Sequence, residues 1–371
     1  MGSVTFLVKP ASGLCNMRCR YCFYEDVSDS RQVKDLGLMD RDTAETLIRS
    51  GYAYTGPAGS VHFLFQGGEP TLAGLGFFRD FVAMARDLRP AGADLSFSIQ
   101  TNALALDRAW TGFFRENGFL VGLSLDGTRT LHDRFRRDAA GSGTWDRTLR
   151  ALRLLEDDGV ETNLLCVVTG DTAKVPGQVW QSLRKLGDHP LQFIPCLDPL
   201  EAPRGGMAWS LTPEAYGDFL KGLFDCWYRD LTAGTYVSVR LFDDLLRLLA
   251  GMVPGSCASA GRCGGYLAVE ADGSLYPCDF YVLDRWRIGN IREMAVADAL
   301  RSPVMGQFLA EGARRPAACG ACPYMPLCRG GCRRDFVDGP GGRSNYFCPA
   351  MKAFFPHILP RLQAAAQALF Q

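Results

Sequence analysis

The sequence has no surplus of charge of either sign. Its 371 residues contain 40 lysines and arginines against 40 aspartates and glutamates, so the formal net charge is zero. A balanced chain lacks the field that attracts nucleic acid or an anionic membrane surface. We therefore expect neither kind of partner.

The sequence also lacks an apolar run long enough to span a bilayer. The N-terminal stretch MGSVTFLVKPASG has neither the basic segment nor the long apolar segment of a secretory signal. We therefore expect a cytoplasmic protein. Because the cytosol keeps thiols reduced, the 14 cysteines are not expected to form disulfides.

Cysteine is abundant, and clustered cysteines in a reducing compartment more often bind metal. One group lies at the N-terminus: Cys15, Cys19 and Cys22. Three cysteines stand singly in the middle, where packing is the expected role: Cys166, Cys196 and Cys226. Eight crowd the last third: Cys257, Cys263, Cys278, Cys319, Cys322, Cys328, Cys332 and Cys348.

Six apolar strands alternate with helical segments in the first two thirds of the chain. The strands are predicted at Val4–Val8, Val61–Phe65, Leu95–Gln100, Leu120–Leu125, Thr162–Val168 and Leu191–Pro195. Helices are predicted to begin at Asp42 as N-cap, near Gly74, Asp107, Trp145 and Val175, and after Thr212. This alternation indicates an α/β fold with a parallel sheet. Six units are fewer than a full barrel has, so we predict a partial (β/α)6 TIM-like barrel, with a doubly wound sheet as the alternative.

The composition changes near Tyr236, where glycine, proline and cysteine become frequent. Asp272-Gly273 predicts the turn of a hairpin, and Ala350–Phe370 predicts a closing helix. We therefore predict three parts: a barrel over residues 1–235, a cysteine-rich domain over 236–349, and a C-terminal helix over 350–371.

The N-terminal cysteines have the spacing C-x3-C-x2-C directly after the first strand. A [4Fe–4S] cluster held by three thiolates keeps one iron open, and the amine and carboxylate of an amino acid suit that iron. The alternative is a zinc site completed by a distant ligand. Gln66-Gly67-Gly68-Glu69-Pro70 follows the second strand, where glycines let backbone approach a ligand and Glu69 can accept from an ammonium group. Both motifs are expected at the carboxyl edge of the sheet, where ligand sites gather.

The motifs CNMRCRYC and QGGEP resemble those of the radical S-adenosylmethionine (SAM) superfamily. The resemblance implies a partial (β/α)6 barrel, a SAM molecule chelated by the open iron, and its cleavage to a 5′-deoxyadenosyl radical that abstracts a hydrogen atom. By the same resemblance, the cofactor-binding residues are Tyr21, Gly68, Glu69, Ser124, Arg136 and Leu197.

The C-terminal cysteines resemble the SPASM extension of this superfamily. The resemblance implies two auxiliary clusters with interleaved ligands: Cys257, Cys263, Cys278 and Cys332 for one, and Cys319, Cys322, Cys328 and Cys348 for the other. With the N-terminal cluster, three [4Fe–4S] clusters are expected. Two structural zinc sites are the alternative, because four thiolates also satisfy zinc.

Longer stretches resemble the anaerobic sulfatase-maturating enzymes, among them LVKPASGLCNMRCRYCFY, FLVGLSLDG and LYPCDFYVLDRWRIGNI. This resemblance implies oxidation of a Cys or Ser side chain, within a C/S-x-P-x-R motif of a sulfatase polypeptide, to Cα-formylglycine. Asp279 would accept the proton, and a flavodoxin- or ferredoxin-like protein would donate electrons. Residues expected to hold the peptide are Tyr24, Gln66, Gln100, Arg240 and Tyr281. The alternatives are a SPASM maturase that forms a cross-link in a ribosomally made peptide, and a non-enzymatic zinc protein.

Overall fold

The computed structural model describes residues 2–370. They group into two compact units, each assembled from separate stretches of the chain. The first unit contains the residues up to Ser124, then Arg136–Asn163 and Gly264–Leu309. The second contains Leu125–Phe135, Leu164–Cys263 and the residues from Ala310 onward. The predicted division into residues 1–235, 236–349 and 350–371 stays a prediction.

The strands agree closely with the alternation predicted from the sequence. They are β1 (Ser3–Val8), β2 (Ser60–Phe65), β3 (Asp94–Thr101), β4 (Phe119–Ser124), β5 (Thr162–Val168), β6 (Leu191–Pro195), β7 (Leu267–Val269), β8 (Ser274–Tyr276), β9 (Gly289–Asn290), β10 (Phe336–Gly339) and β11 (Gly342–Asn345). All six predicted strands of the βα series are present.

The α-helices separate these strands along the chain. They are α1 (Phe23–Asp29), α2 (Arg41–Thr55), α3 (Gly74–Asp87), α4 (Arg108–Glu116), α5 (Arg129–Phe135), α6 (Trp145–Asp157), α7 (Pro176–Arg184), α8 (Pro213–Thr232), α9 (Arg240–Leu249), α10 (Cys257–Ala260), α11 (Val296–Arg301), α12 (Pro303–Ala313), α13 (Met325–Cys328) and α14 (Cys348–Phe370). No helix among residues 2–370 has the length and apolar character required to cross a membrane.

Two local predictions are corrected. The N-cap of α2 is Asp40, whose carboxylate accepts the Thr43 N–H at 2.7 Å, and not Asp42, which lies in the first helical turn. The loop after β4 contains the short helix α5, which the sequence analysis did not predict. The prediction of a hairpin at Asp272-Gly273 is confirmed, because Gly273 has φ +84° and Glu270 N–H donates to the Ser274 carbonyl at 2.9 Å.

The sheet of the first unit brings five parallel strand ends to one edge. Its order is β4-β3-β2-β1-β7, followed by the antiparallel strands β8 and β9. The register pairs Val8 with Phe65 in β2 and with Val269 in β7. Segments that follow β1, β2, β3, β4 and β7 therefore begin at neighbouring positions.

Phenylalanine side chains fill the space between this sheet and its helices. Phe63 on β2 packs against Phe81 of α3 with ring centroids 5.0 Å apart, and Phe97 stacks on Phe119 at 5.1 Å. Each buried phenylalanine contributes about 2 kcal/mol through removal of its surface from water. This core holds the strand ends, and hence the loops that follow them, in fixed positions.

The second unit has a helical core of its own. In α8, Phe224 and Trp227 are fully buried. Phe224 packs against Phe242 of α9 with ring centroids 5.4 Å apart, and Phe242 faces Phe354 of α14 at 6.4 Å. Helices α8, α9 and α14 therefore form one packed layer.

Candidate active site

The first group of cysteines occupies the loop between β1 and α1. All three side chains are half-buried. Cys22 is the N-cap of α1, and its Sγ accepts a hydrogen bond from the Glu25 N–H at 3.4 Å. The Cys15 Sγ accepts one from the Met17 N–H at 3.4 Å. Backbone donors that point at sulfur favour the thiolate form, which is the form that binds metal.

The three thiols line a cavity of about 290 Å³, together with Leu14 and Gly68. Burial raises the pKa of the Cys15 thiol to about 11, so a thiolate here at neutral pH needs a bound cation. No group of three His, Cys, Asp or Glu side chains within residues 2–370 is placed to hold one metal ion. A cubane cluster instead takes one thiolate at each of several irons. This set of donors therefore fits an iron–sulfur cluster with three protein ligands.

The QGGEP loop after β2 is hydrogen-bonded to the cysteine loop. The Gly68 N–H donates to the Ser12 carbonyl at 2.9 Å, and the Glu69 N–H donates to the Leu14 carbonyl at 2.7 Å. A Cβ atom at Gly68 would lie only 2.1 Å from the Leu14 carbonyl oxygen. Only glycine permits this approach. The cysteine loop and the QGGEP loop therefore pack backbone against backbone, and the position of one depends on the position of the other.

Substitution Gly68→Ala is expected to displace the cysteine loop, because the atom it would meet belongs to backbone. We expect SAM cleavage to fall on the order of 100-fold, the effect of a misplacement of about 1 Å in an active site. The measurement is 5′-deoxyadenosine formation under anoxic, reducing conditions. The matched control is Gly76→Ala in α3, where an added Cβ meets nothing within 4 Å. Equal activity of both variants would contradict the prediction.

Glu69 is buried and its carboxylate accepts several hydrogen bonds from the protein. The donors are Thr71 N–H at 3.1 Å, Thr71 Oγ1 at 2.6 Å, Thr101 Oγ1 at 2.7 Å and Asn102 N–H at 2.8 Å. Burial raises the pKa of this carboxyl group, although the hydrogen bonds act in the opposite direction. Glu69 thus ties the loop after β2 to the end of β3, and its predicted contact with the cofactor stays a prediction.

Two of the predicted cofactor residues lie together beside the cysteine loop. The Arg136 guanidinium lies 5.5 Å from the centroid of the Tyr21 ring, and both side chains are buried. The neighbouring Arg137 carbonyl accepts the Arg18 N–H at 2.7 Å. Arg136 is thereby fixed at the cysteine loop as a buried cation able to receive a carboxylate.

The other two predicted cofactor residues follow strands. Ser124 is the last residue of β4 and is buried. Leu197 comes two residues after β6, belongs to the second unit, and is half-buried. Their contacts with a cofactor stay predictions.

The C-terminal cysteines of the second unit separate into two sets. Cys319, Cys322, Cys328 and Cys348 line one cavity of about 70 Å³. Cys332 does not line that cavity. Burial raises the pKa of its thiol, and the charges that raise it further include those of Asp335, Cys257 and Cys263. The grouping of Cys332 with Cys257 and Cys263 in one ligand set stays a prediction. Cys278 belongs to the first unit, so its membership of that set stays a prediction.

Asp279 follows Cys278 and is buried. Its Oδ1 accepts a hydrogen bond from the Tyr266 hydroxyl, and the Cys278 Sγ lies 3.5 Å away from the same oxygen. The next residue, Phe280, packs edge-on against Phe23 of α1 with ring centroids 4.9 Å apart. The segment that carries Asp279 therefore packs against the helix that starts at the cysteine loop.

The residues predicted to hold a peptide are in varied environments. Gln66 Nε2 donates to Gln100 Oε1 at 3.1 Å, so these two lie together at the ends of β2 and β3. Tyr24 is buried and its hydroxyl donates to Glu270. Tyr281 packs on Phe308 at 5.2 Å. Arg240 is exposed at the start of α9, in the second unit, and donates to the Gly255 carbonyl at 2.8 Å. Their roles in substrate binding stay predictions.

Several buried polar residues near this site were not identified from the sequence. They are Lys9, Arg31 and Glu270, all in the first unit; the half-buried Tyr266 of the same unit was not identified either. Lys9 has a recognisable signal, since it is a charged residue directly after a strand that is apolar except at its start. Arg31 and Glu270 lie far apart in the sequence and have no such signal.

Comparison with known protein families gives two matches. A family described as the radical SAM superfamily matches residues 10–184. A second, described as an iron–sulfur cluster-binding domain and named SPASM, matches residues 257–323. The two matched regions contain the first cysteine group and most of the C-terminal cysteines, respectively.

Comparison with individual proteins gives relatives over the full length. The cysteine-type anaerobic sulfatase-maturating enzyme of Clostridium novyi (strain NT) is 40% identical over 371 residues, covering 100% of this chain and 99% of the relative. The serine-type enzyme of Klebsiella aerogenes is 34% identical over 98% of this chain and 87% of its own. The solved structure of native anSMEcpe with bound AdoMet and Cp18Cys peptide superposes with a TM-score of 0.93 at 38% identity, over 99% of this chain and 100% of that one.

Proposed function

Since this chain belongs to the anaerobic sulfatase-maturating enzymes of the radical SAM superfamily, we propose that it oxidises a Cys or Ser side chain of a sulfatase polypeptide to Cα-formylglycine. Its fold is accordingly the α/β radical SAM fold with a SPASM domain. One structural observation supports the assignment of this function to particular residues. The cavity with three thiols is joined to the QGGEP loop by hydrogen bonds and to the Asp279 segment by ring packing.

The cofactors are three [4Fe–4S] clusters and SAM. When bound, the first cluster and SAM supply a 5′-deoxyadenosyl radical that removes a hydrogen atom from the substrate Cβ. Cys15, Cys19 and Cys22 would hold that cluster, which leaves one iron for the amino acid end of SAM. We propose that Tyr21, Gly68, Glu69, Ser124, Arg136 and Leu197 hold the rest of the cofactor. The buried Arg136 is suited to the carboxylate, because a guanidinium pairs with both carboxylate oxygens.

Two further sets of cysteines would hold the auxiliary clusters. Cys319, Cys322, Cys328 and Cys348 already share one cavity. We propose that Cys257, Cys263, Cys278 and Cys332 hold the other cluster, and the charges of Cys257 and Cys263 among the causes that raise the Cys332 pKa support this grouping. A four-thiolate set saturates a cluster, so these two would have no site for SAM.

Asp279 is the proposed proton acceptor. Once the Cβ hydrogen atom is removed, loss of the hydroxyl proton and one electron gives the aldehyde from a Ser side chain. The same loss from a Cys side chain gives a thioaldehyde, which water converts to the aldehyde with release of hydrogen sulfide. The Asp279 carboxylate accepts a hydrogen bond from the Tyr266 hydroxyl and has the Cys278 Sγ 3.5 Å from the same oxygen. It lies on a segment held by the packing of Phe280 against Phe23. A buried carboxylate held in this way is suited to take a proton from a bound substrate.

The substrate is proposed to be a peptide segment with a C/S-x-P-x-R motif. The related solved structure contains a bound peptide called Cp18Cys. Full-length identity is 40% to the cysteine-type relative and 34% to the serine-type one, which favours cysteine as the preferred target. We propose that Gln66, Gln100, Tyr24, Tyr281 and Arg240 contribute to peptide binding. An electron donor resembling flavodoxin or ferredoxin would reduce the first cluster.

The test is an anoxic assay of the reduced, reconstituted protein with SAM and three matched peptides. The peptides share the x-P-x-R context and carry Cys, Ser or Ala at the target position. We expect the Cys peptide to lose the mass that corresponds to conversion of its thiol to an aldehyde, the Ser peptide to react more slowly, and the Ala peptide to remain unchanged. Mass spectrometry measures the peptide products, and 5′-deoxyadenosine is quantified in the same samples.

Formation of 5′-deoxyadenosine with the Cys and Ser peptides both intact would contradict the proposal. That outcome would favour a peptide-modifying radical reaction on another target. Zinc without sulfide in the anoxically purified protein would exclude radical chemistry altogether.

A further inference from the structure

The connection between β6 and α8 is a long loop in the second unit. It covers residues 196–212, and none of these residues, all of which the structure describes, belongs to a helix or strand. Loops of more than about 12–15 residues without secondary structure are uncommon in compact domains and are usually either functional or disordered. Leu197, a proposed SAM contact, lies at the start of this loop. The conformation of the loop therefore bears on the cofactor site.

A buried carboxylate, that of Asp198, holds the loop together from within. Its Oδ2 accepts the Gly205 N–H at 2.9 Å, and its Oδ1 accepts a hydrogen bond from the Ser210 hydroxyl. The Ser210 Oγ in turn accepts the Met207 N–H at 2.8 Å. One side chain thus joins the beginning of the loop to two later positions. The loop is therefore an ordered structure with its own hydrogen bonds.

Arg334 fixes the same aspartate from outside the loop. The Arg334 side chain is buried, and its Nη2 donates to the Asp198 carbonyl at 2.9 Å. In the reverse direction, Arg204 of the loop donates to the Arg334 carbonyl. The Arg204 guanidinium also lies 5.4 Å from the centroid of the Tyr346 ring. The loop after β6 is therefore joined to the segment around Arg334 by hydrogen bonds in both directions.

The backbone of Arg334 contacts a proposed cluster ligand. Its N–H donates to the Cys332 Sγ at 3.4 Å, and Cys332 is the N-cap of the short 3-10 helix Arg333–Asp335. Arg334 thus bonds through its backbone to a cysteine of a proposed auxiliary cluster and through its side chain to the carbonyl of the residue after Leu197. All of these residues belong to the second unit.

We infer that Arg334 is a positioning residue for SAM, which holds the Asp198 carbonyl and thereby fixes the loop after β6 in the conformation in which Leu197 contacts the cofactor. This inference rests on the proposed function, because it takes Leu197 as a SAM contact and Cys332 as a cluster ligand. A Cys332 that is bound to its cluster gives the segment that carries Arg334 a fixed position.

The chemistry of arginine suits this role. Its planar guanidinium has donors in a fixed geometry, so a bound carbonyl is held in one direction. A methionine at position 334 would fill similar space but would leave the buried Asp198 carbonyl without this donor. The unmade hydrogen bond weakens the hold on the loop, while the apolar part of the side chain still fills its place.

The experiment compares Arg334→Met with Arg333→Met in the full-length protein, reconstituted under anoxic conditions. Arg333 is the matched control, because it is the neighbouring arginine of the same short helix and its guanidinium pairs with Glu311 of α12. The dissociation constant of SAM is measured without reductant, so that SAM binds and is not cleaved. Hydrogen–deuterium exchange of residues 196–212, iron content and melting temperature are measured on the same preparations.

We expect the dissociation constant of SAM to rise on the order of 10-fold in Arg334→Met, because a hydrogen bond from a charged donor corresponds to about 10- to 100-fold in an equilibrium constant. Exchange of residues 196–212 should be faster, with iron content near that of the wild type. In turnover, KM for SAM should rise while kcat at saturating SAM stays near the wild-type value. Arg333→Met should match the wild type in SAM affinity and in loop exchange.

A second variant, Ser210→Ala, loosens the loop at its far end without altering Arg334. It removes the hydroxyl that donates to Asp198 and accepts from Met207, and it leaves the cysteine segment unchanged. Faster exchange of residues 196–212 and a smaller rise in the dissociation constant of SAM are expected. This half-buried position allows the test to proceed even where Arg334→Met does not fold.

Wild-type SAM affinity in a folded, iron-loaded Arg334→Met protein would overturn the inference, as would the same result in Ser210→Ala if Arg334→Met does not fold. An equal loss of SAM affinity in Arg333→Met would also overturn it, because the effect would then belong to the cysteine segment as a whole. A lower melting temperature with unchanged SAM affinity would assign Arg334 to folding alone. Failure of the iron-loaded wild-type protein to bind SAM would instead refute the proposed function.

Discussion

Simultaneous substitution of Cys15, Cys19 and Cys22 by alanine is expected to abolish SAM cleavage. The purified wild-type protein should contain about twelve irons, and the triple variant about eight, because only one of three four-iron clusters loses its ligands. The remaining eight cluster cysteines are untouched. Iron and sulfide analysis after anoxic reconstitution, with 5′-deoxyadenosine measured in the same samples, checks both parts of the prediction.

The control for this variant is Cys226→Ala. Cys226 is a half-buried cysteine in α8 and belongs to neither a loop motif nor a cysteine set. Its removal should change neither iron content nor cleavage. A triple variant that still cleaves SAM, or that retains about twelve irons, would show that the loop after β1 does not hold the reactive cluster.

Asp279→Asn is expected to retain all clusters and SAM cleavage but to lose product formation by about 10²- to 10⁴-fold, the range for removal of a general base. The amide keeps the size of the side chain and can still meet the Tyr266 hydroxyl. The measurement is aldehyde formation with the Cys peptide relative to 5′-deoxyadenosine. The loss should appear in kcat, since the substitution does not alter the residues proposed to hold the peptide.

A suitable control for Asp279→Asn is Asp284→Asn. Asp284 lies on the same segment and accepts the Gln32 N–H at 2.8 Å from an exposed position. That variant should turn over normally. Full turnover by Asp279→Asn would show that this residue does not accept the substrate proton.

Much of the architecture could be read from local patterns. The strands at 162–168 and 191–195 have the bounds predicted from their apolar runs. Thr212 caps α8 as predicted, with its hydroxyl accepting the Ala215 N–H at 3.2 Å. Strand bounds and helix caps depend on residues that are close together in the sequence, and therefore they can be predicted from it.

The two errors in the secondary-structure prediction have different causes: two equally suitable N-cap residues in one case, and the lack of a strong helix signal in the other. Asp40 and Asp42 are both suitable N-caps, and only the path of the chain decides that Asp40 accepts the Thr43 N–H. The short helix α5 has seven residues and no strong start signal. Its existence depends on packing that a short window of sequence does not report.

The site could be predicted only where its residues form a motif. Cys15, Cys19, Cys22 and Gly68 belong to short patterns with a chemical reason for their spacing. The grouping of Cys332 with Cys257 and Cys263 was implied by family resemblance, because residues this far apart have no local relation. Lys9 and Glu270 meet through the pairing of β1 with β7, which joins positions separated by more than half of the chain.

The contact between Gly68 and the Leu14 carbonyl limits how this site can be rebuilt elsewhere. A designer who grafts the cysteine loop alone onto another scaffold would transfer three ligands without the backbone surface that shapes them. The smallest transferable unit is a pair of adjacent parallel strands with both following loops, including the hydrogen bonds from Gly68 to Ser12 and from Glu69 to Leu14. Insertions within either loop should therefore be tolerated less well than insertions in the helices that connect the strands.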